Sequence, residues 1–128
     1  MRLFCYGTLM LPEVMQSIIG RSLRPRPAVL PGYRLYSIKR AVYPAVLPEK
    51  GAEVRGVVYR GLRLADIRRL DAFEGREYRR KACVINSAGR GLSAWVYVYR
   101  EAYRARLGEA GWSLARFRRR HLHDYLRQ

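Results

Sequence analysis

Hydrophobic positions change period along this chain, and each change marks an element. Leu3-Phe4-Cys5-Tyr6 is a short apolar and aromatic run that reads as a strand, broken by Gly7-Thr8. Leu11-Pro12-Glu13 opens a helix, with Pro tolerated in the first turn; Val14, Ile18 and Ile19 share one face and Gly20 closes it. From Arg21 to Pro31 prolines interrupt the pattern, which leaves at most an edge strand at Ala28-Val29-Leu30. Gly32 to Ile38 alternates as a strand does, and Tyr43 to Leu47 is a second, short extended piece. Pro48-Glu49-Lys50-Gly51 reads as a turn and Val54 to Tyr59 as a β-branched strand. The clearest helix runs from Leu62 to Phe73, where Leu64, Ile67, Leu70 and Phe73 recur at i, i+3, with Asp66 near its start and Arg68-Arg69 farther on. Tyr78 to Ile85 and Ala94 to Tyr99 are strands around a turn at Asn86 to Gly91. A last helix runs from Ser113, a candidate N-cap, to Leu126.

Five or six mostly short strands and three helices result. Helices do not alternate regularly with strands, which argues against a parallel βαβ sheet. The expectation is an α+β fold: a mostly antiparallel, curled sheet or small barrel with flanking helices. The 128 residues suit one domain spanning 1–128, and 49% hydrophobic content supports a packed core. No run of about 18 apolar residues occurs, and the N-terminal apolar stretch is too short for a secretory signal, so a cytoplasmic location is expected. Cys5 and Cys83 lie in apolar strands without metal-ligand spacing and read as buried thiols.

The net charge of +16 comes almost wholly from arginine, with Lys39, Lys50 and Lys81 the only lysines. Such a balance raises nucleic-acid binding as a partner class. The arginines are spread along the chain, though, in small groups such as Arg68-Arg69, Arg79-Arg80 and Arg118-Arg119-Arg120. Solvated faces are the better reading of that spread.

Candidate chemistry is sparse. There is no P-loop, dinucleotide fingerprint or HExxH pattern. His121 and His123 are two apart and point to different sides of a helix, which does not suit a metal pair. No serine sits in a nucleophile-elbow motif. Two features remain. Tyr6-Gly7-Thr8-Leu9 leaves a strand and enters a helix, where backbone N–H groups can face an anion, or can simply form a tight turn. Gly7 would let a ligand approach the backbone closely. Glu74 follows a helix and precedes a strand, a natural seat for a general base, with Phe73 expected to bury the approach to it. It could equally form a surface ion pair with neighbouring arginines, and Glu77, three residues on, offers the same chemistry.

Taken together, Tyr6-Gly7-Thr8-Leu9 and Leu70-Asp71-Ala72-Phe73-Glu74-Gly75, followed by Tyr78 and Arg80, resemble the γ-glutamyl cyclotransferase-like superfamily. Gly32 to Tyr36, Tyr43 to Val46, Val54 to Val58 and Phe117 to Leu126 look most like its AIG2-like branch, so the resemblance covers nearly the whole chain. It implies a small mixed β-barrel with flanking helices. It implies Glu74, rather than Glu77, as the catalytic acid/base. It also implies a substrate site at Tyr6, Gly7, Thr8, Leu9, Tyr43, Pro44 and Tyr78. The implied reaction is intramolecular aminolysis of a γ-glutamyl amine or peptide, releasing 5-oxoproline, with a small-molecule substrate and no metal or cofactor. The alternatives carried forward are a non-catalytic module for a small acidic metabolite and a basic nucleic-acid-associated protein. The positive charge itself suggests an acidic substrate.

Overall fold

The computed structural model describes residues 1–108, 112–120, 122 and 126. Its strands are β1 (Leu3–Cys5), β2 (Arg26–Ile38), β3 (Pro44–Tyr59), β4 (Tyr78–Ser87), β5 (Arg90–Tyr99) and β6 (Leu107–Gly108). Its α-helices are α1 (Pro12–Ile19), α2 (Leu64–Glu74) and α3 (Leu114–Arg120), with 3-10 turns at Thr8–Met10 and Glu101–Arg106. The strands hydrogen-bond in the order β3-β1-β5-β4-β2, and β2 returns to β3, so five strands close into a barrel; β6 extends the end of β2. All pairings are antiparallel except β1 with β5, where Leu3 faces Trp95 and Phe4 faces Val96. The fold is thus the mixed, mostly antiparallel α+β barrel expected.

Two packed regions explain why β1 is apolar at every position. Phe4, Tyr6, Leu30, Val46, Val58, Ile85 and Val96 fill one core, and the alternate residues Leu3, Cys5, Ala45 and Leu47 join the other with Val14, Met15 and Ile19 of α1 and Ile67 and Leu70 of α2. Period-2 alternation sends neighbouring residues to opposite faces, so a strand covered on both sides reads as a continuous hydrophobic run. β1 can lie close to β3 because position 56 is glycine: a Cβ there would sit 2.2 Å from the Cys5 carbonyl oxygen.

Three expectations change. The Pro-punctuated 21–31 stretch is not a minimal edge strand, because β2 runs for 13 residues through Pro27 and Pro31. It pairs with β3 along its length but meets β4 only at Val29–Asn86, and a strand with one nearly open side tolerates residues that lack an N–H. Pro44–Tyr59 is likewise one 16-residue strand, and Pro48 to Gly51 do not end it. The register jumps there, from Pro31–Glu53 to Tyr33–Pro48, so the extra residues form an irregularity within the strand. Cys83 is only partly buried, its Sγ 3.6 Å from the Tyr33 hydroxyl, whereas Cys5 is buried; both are free thiols.

The turn between β4 and β5 tightens to Ala88-Gly89, both with positive φ (52° and 75°), a conformation that suits a two-residue hairpin loop. Ser113 does cap α3: its hydroxyl accepts the Arg116 N–H at 3.3 Å. The remainder of the helix expected to Leu126, with His121 and His123, lies outside the described residues apart from Leu122 and Leu126. No described helix is long and apolar enough to cross a membrane.

Candidate active site

α2 positions the acid. Its first turn is fixed by Asp66, whose Oδ2 accepts the Arg63 N–H at 2.8 Å and contacts Arg21 Nη1 at 2.6 Å. Its inner face carries Ile67 and Leu70, fully buried. Leu64 and Phe73, expected on the same face, point out instead, with Phe73 39% exposed. Four residues at a strict i, i+3 spacing drift around a helix of 3.6 residues per turn, and only the middle pair meets the core. Phe73 therefore does not bury the approach to Glu74. That burial comes from tyrosines brought in by the strands.

Glu74 is the last residue of α2, and its side chain enters a cavity of about 30 Å³ at one end of the barrel. β1 contributes Phe4 and Cys5 to the wall, the following loop Tyr6, Gly7, Thr8 and Leu9, and the entry to β3 Tyr43, just before the strand, and Pro44, its first residue. β4 and β5 add Tyr78 and Tyr97. All eight residues singled out from the sequence, Glu74 and Tyr6, Gly7, Thr8, Leu9, Tyr43, Pro44 and Tyr78, thus line one cavity.

Hydrogen bonds from tyrosines hold this wall in place. The buried Tyr59 hydroxyl donates to Leu9 O at 2.7 Å, and the Tyr78 hydroxyl to Pro44 O at 2.8 Å. The Tyr6 hydroxyl donates to the backbone oxygen of Tyr97. The loop turns tightly, with the Met10 and Leu11 N–H groups bonding Gly7 O and Thr8 O at 3.0 and 3.1 Å. Residues 7–9 lead into this turn from the end of β1. Gly7 also answers to packing: a Cβ there would lie 2.9 Å from Pro44 Cδ, so the absent side chain makes room for the Pro44 ring.

Electrostatics sets Glu74 apart. Six of the carboxylates, those of Glu13, Glu49, Asp66, Asp71, Glu77 and Glu101, contact an arginine within 4.0 Å. Glu74 is in none of the ion pairs among the described residues, and no Arg or Lys lines its cavity among those residues. The surface ion-pair reading therefore fits Glu77, whose Oε1 is 4.0 Å from Arg106 Nη1, and not Glu74. Glu74 is half-buried as a residue and lines the cavity. Burial first, and then the negative charge of Asp71, push its pKa up to about 8. Asp71 precedes Glu74 by three residues on the same helix, so the two carboxylates are surface neighbours.

Sequence reasoning missed two contributors. Asp71 Oδ1 accepts the Tyr97 hydroxyl at 2.8 Å and Arg80 Nε at 2.9 Å, with Arg80 Nη2 3.3 Å from Oδ2. The Arg80 guanidinium also stacks 4.2 Å from the centre of the Trp95 ring. The spacing of Asp71 to Glu74 was a usable signal. Nothing local pointed to Tyr97, which the β1–β5 and β4–β5 pairings bring to the cavity.

The fold and site define a small mixed β-barrel with flanking helices and one enclosed carboxyl facing a strand-to-helix loop. The chain belongs to the family described as gamma-glutamyl cyclotransferase, AIG2-like, which it matches over residues 3–114. It is 34% identical over 100 residues to AIG2-like protein C of Arabidopsis thaliana, covering 77% of this chain but only 58% of that relative. A solution structure of another Arabidopsis thaliana protein superposes with a TM-score of 0.75 at 27% identity, covering 98% of this chain and 85% of the other. A structure named gamma-glutamyl cyclotransferase superposes with a TM-score of 0.66 at 18% identity, covering 77% and 66%, which speaks to the fold alone.

Proposed function

We propose that this chain is a γ-glutamyl cyclotransferase that converts a γ-glutamyl amide into 5-oxoproline and a free amine, with Glu74 as its acid/base. The observation that carries the reading is the Glu74 carboxyl, enclosed beside the Gly7–Leu9 loop without a lining cation and with a proton affinity raised to about 8. A base is most effective when its pKa lies near the operating pH, and an ordinary carboxylate would be too weak for an ammonium group.

In the reaction the α-ammonium of the substrate gives a proton to the Glu74 carboxylate. The freed nitrogen attacks the γ-carbonyl carbon, forming the C–N bond of a five-membered ring. The oxyanion that develops would be stabilised by backbone N–H groups of the Gly7–Leu9 loop. As the original amide C–N bond breaks, the leaving nitrogen takes up the proton held by Glu74. Two protons in all pass from the α-nitrogen to the leaving amine, and one carboxyl can carry them in turn. Because both reacting groups belong to one molecule, holding it folded supplies much of the rate. Tyr6, Tyr43, Pro44 and Tyr78 shape that folded pose, and Tyr59 and Tyr78 keep the loop and Pro44 fixed while it forms.

The deciding experiment incubates the protein with a panel of γ-glutamyl peptides and amines and measures 5-oxoproline. Release by the wild type that disappears in Glu74→Gln is expected. No release from any member, or full activity in the variant, overturns the assignment.

A further inference from the structure

At the start of β4, positions that belong to the core face carry positive charge. Residues directly opposite one another in an antiparallel ladder share a face. Arg79 pairs with Val98, Lys81 with Val96, Cys83 with Ala94 and Ile85 with Leu92. Val98, Val96, Ala94 and Ile85 pack in the barrel core, so Arg79 and Lys81 stand in the same inward row. Along that row Ile85 is fully buried, Cys83 is half-buried, and Lys81 and Arg79 are exposed. The barrel therefore opens toward the start of β4. The cause lies across the seam, where β2 meets β4 only at Val29–Asn86, near the other end of the strand. Two cations occupy the places where a closed barrel would carry apolar side chains.

A hollow of about 370 Å³ lies at this opening. Leu47 and Pro48 of β3 and Val98 and Tyr99 of β5 form apolar walls, and all but Pro48 are buried. Arg79, Lys81 and Arg100 border the same space. The backbone N–H of Arg100 donates to Glu77 O and its Nε to Arg76 O, both at 2.8 Å, which fixes the side chain at the rim. Arg79, Lys81 and Arg100 are in none of the ion pairs among the described residues. Glu101, the acid of the described lining, is paired with Arg104. Three cations against one carboxylate leave the described lining at +2. A lone exterior arginine is ordinarily just solvated; here three cations surround walls that suit a carbon skeleton.

That combination selects a ligand class. A phosphate monoester carries about −1.5 to −2 charge at neutral pH and three acceptor oxygens, which matches the charge and donors of the rim. Arginine forks bind such oxygens in pairs, and a lysine adds a point charge. The volume is that of a small-molecule site, for which about 300–1,000 Å³ is usual. We infer that this hollow is a second ligand site, and that it takes an organic phosphate whose oxygens meet Arg79, Lys81 and Arg100 and whose apolar body lies against Leu47, Pro48 and Val98. Among the described residues it shares no lining residue with the Glu74 cavity, and it does not depend on the cyclotransferase reading.

The test is calorimetric titration of the full chain with phenyl phosphate, inorganic phosphate and benzoate. Saturable binding of one phenyl phosphate per chain is expected. Inorganic phosphate lacks the apolar body and benzoate the second charge, and each should bind roughly fivefold or more weakly. Arg79→Gln combined with Lys81→Gln changes two exposed side chains and should raise the Kd for phenyl phosphate about tenfold or more, with an unchanged melting temperature. Arg55→Gln combined with Arg90→Gln removes the same charge from exposed positions opposite Val29 and Ser87, and should leave the Kd within about twofold, because separated surface charges are screened. Absence of saturable binding, or inorganic phosphate or benzoate binding as tightly as phenyl phosphate, overturns the site. So does a Kd unmoved by the Arg79 and Lys81 substitutions. An equal loss in both double variants also overturns it, since that marks general attraction to a chain of net charge +16.

Discussion

Asp66 in the first turn of α2 and Glu74 in its last are both shielded from water, yet they hold their protons in opposite ways. Burial alone would raise the pKa of Asp66, but the Arg63 N–H and the Arg21 guanidinium outweigh it and hold the carboxyl below its ordinary range. Burial raises Glu74 to about 8, and the neighbour within reach, Asp71, pushes the same way. The helix contributes to the contrast, since its N-terminus favours a negative charge and its C-terminus does not. Partners, rather than depth, decide what a buried carboxyl does. Asp66 is spent on capping and pairing, and Glu74 is left poised to exchange a proton near neutral pH.

The comparison can be broken at several points. The largest effect is expected from Glu74→Gln, which should lower 5-oxoproline release by about 10²–10⁴-fold, the usual contribution of a positioned acid/base, with an unchanged circular dichroism spectrum. Asp66→Ala should leave the chemistry alone but cost ~2–4 kcal/mol of stability in urea denaturation, because it removes an N-terminal cap and strands Arg21. A variant as stable as the wild type would mean that the Asp66 cluster does not anchor α2.

A third effect, smaller, lies in the pH dependence of stability, and the two ends of α2 should give opposite slopes. Glu74 binds its proton more tightly folded than unfolded, so its contribution is fully present below its ordinary pKa of 4.5 and is lost as pH rises through about 8. Between pH 5 and 9 the wild type should lose up to a few kcal/mol from this group, at about 1.4 kcal/mol per unit. Glu74→Gln should lose less, and so should melt higher than the wild type at pH 9 while being inactive. Asp66 has a lowered folded pKa, so its contribution is present above the ordinary value of 3.8 and disappears as pH falls. Thermal melts of both variants across pH 3–9 check the two signs. The smallest effect is expected from Asp71→Asn. Removing that charge should move the acid limb of the kcat/KM profile to lower pH with little change at its plateau, whereas a purely structural loss would lower the plateau and leave the limb in place.

Much of the molecule is legible along the chain because its signals are local. The capped, amphipathic α1 with Pro12 and Gly20, the β4–β5 hairpin and the position of Glu74 at a helix-to-strand junction all follow from neighbours within a few residues. Errors arose where local rules met a longer-range fact. Pro27 and Pro31 argued against a strand, but pairing with β3 carries β2 through them because its other side is nearly open. Phe73 continued an apolar spacing but stands partly exposed, because α2 presents only Ile67 and Leu70 of that row to the core.

The sequence by itself determined most of the elements, the mixed barrel with flanking helices through its resemblance, and eight of the residues that meet at the cavity. Tertiary structure decided the state of those residues. Whether Glu74 is an ion-paired surface charge or an enclosed acid depends on which arginines reach it, and barrel closure pairs Arg80 with Asp71 and Arg106 with Glu77 instead. Likewise, a composition of 26 basic residues says nothing of where they stand; only the packing of β1, α2 and the residues leading into β3 leaves the Glu74 cavity with no Arg or Lys among its described lining residues. Charge can be counted along a chain, but the environment of a charge is set by residues that sequence distance separates.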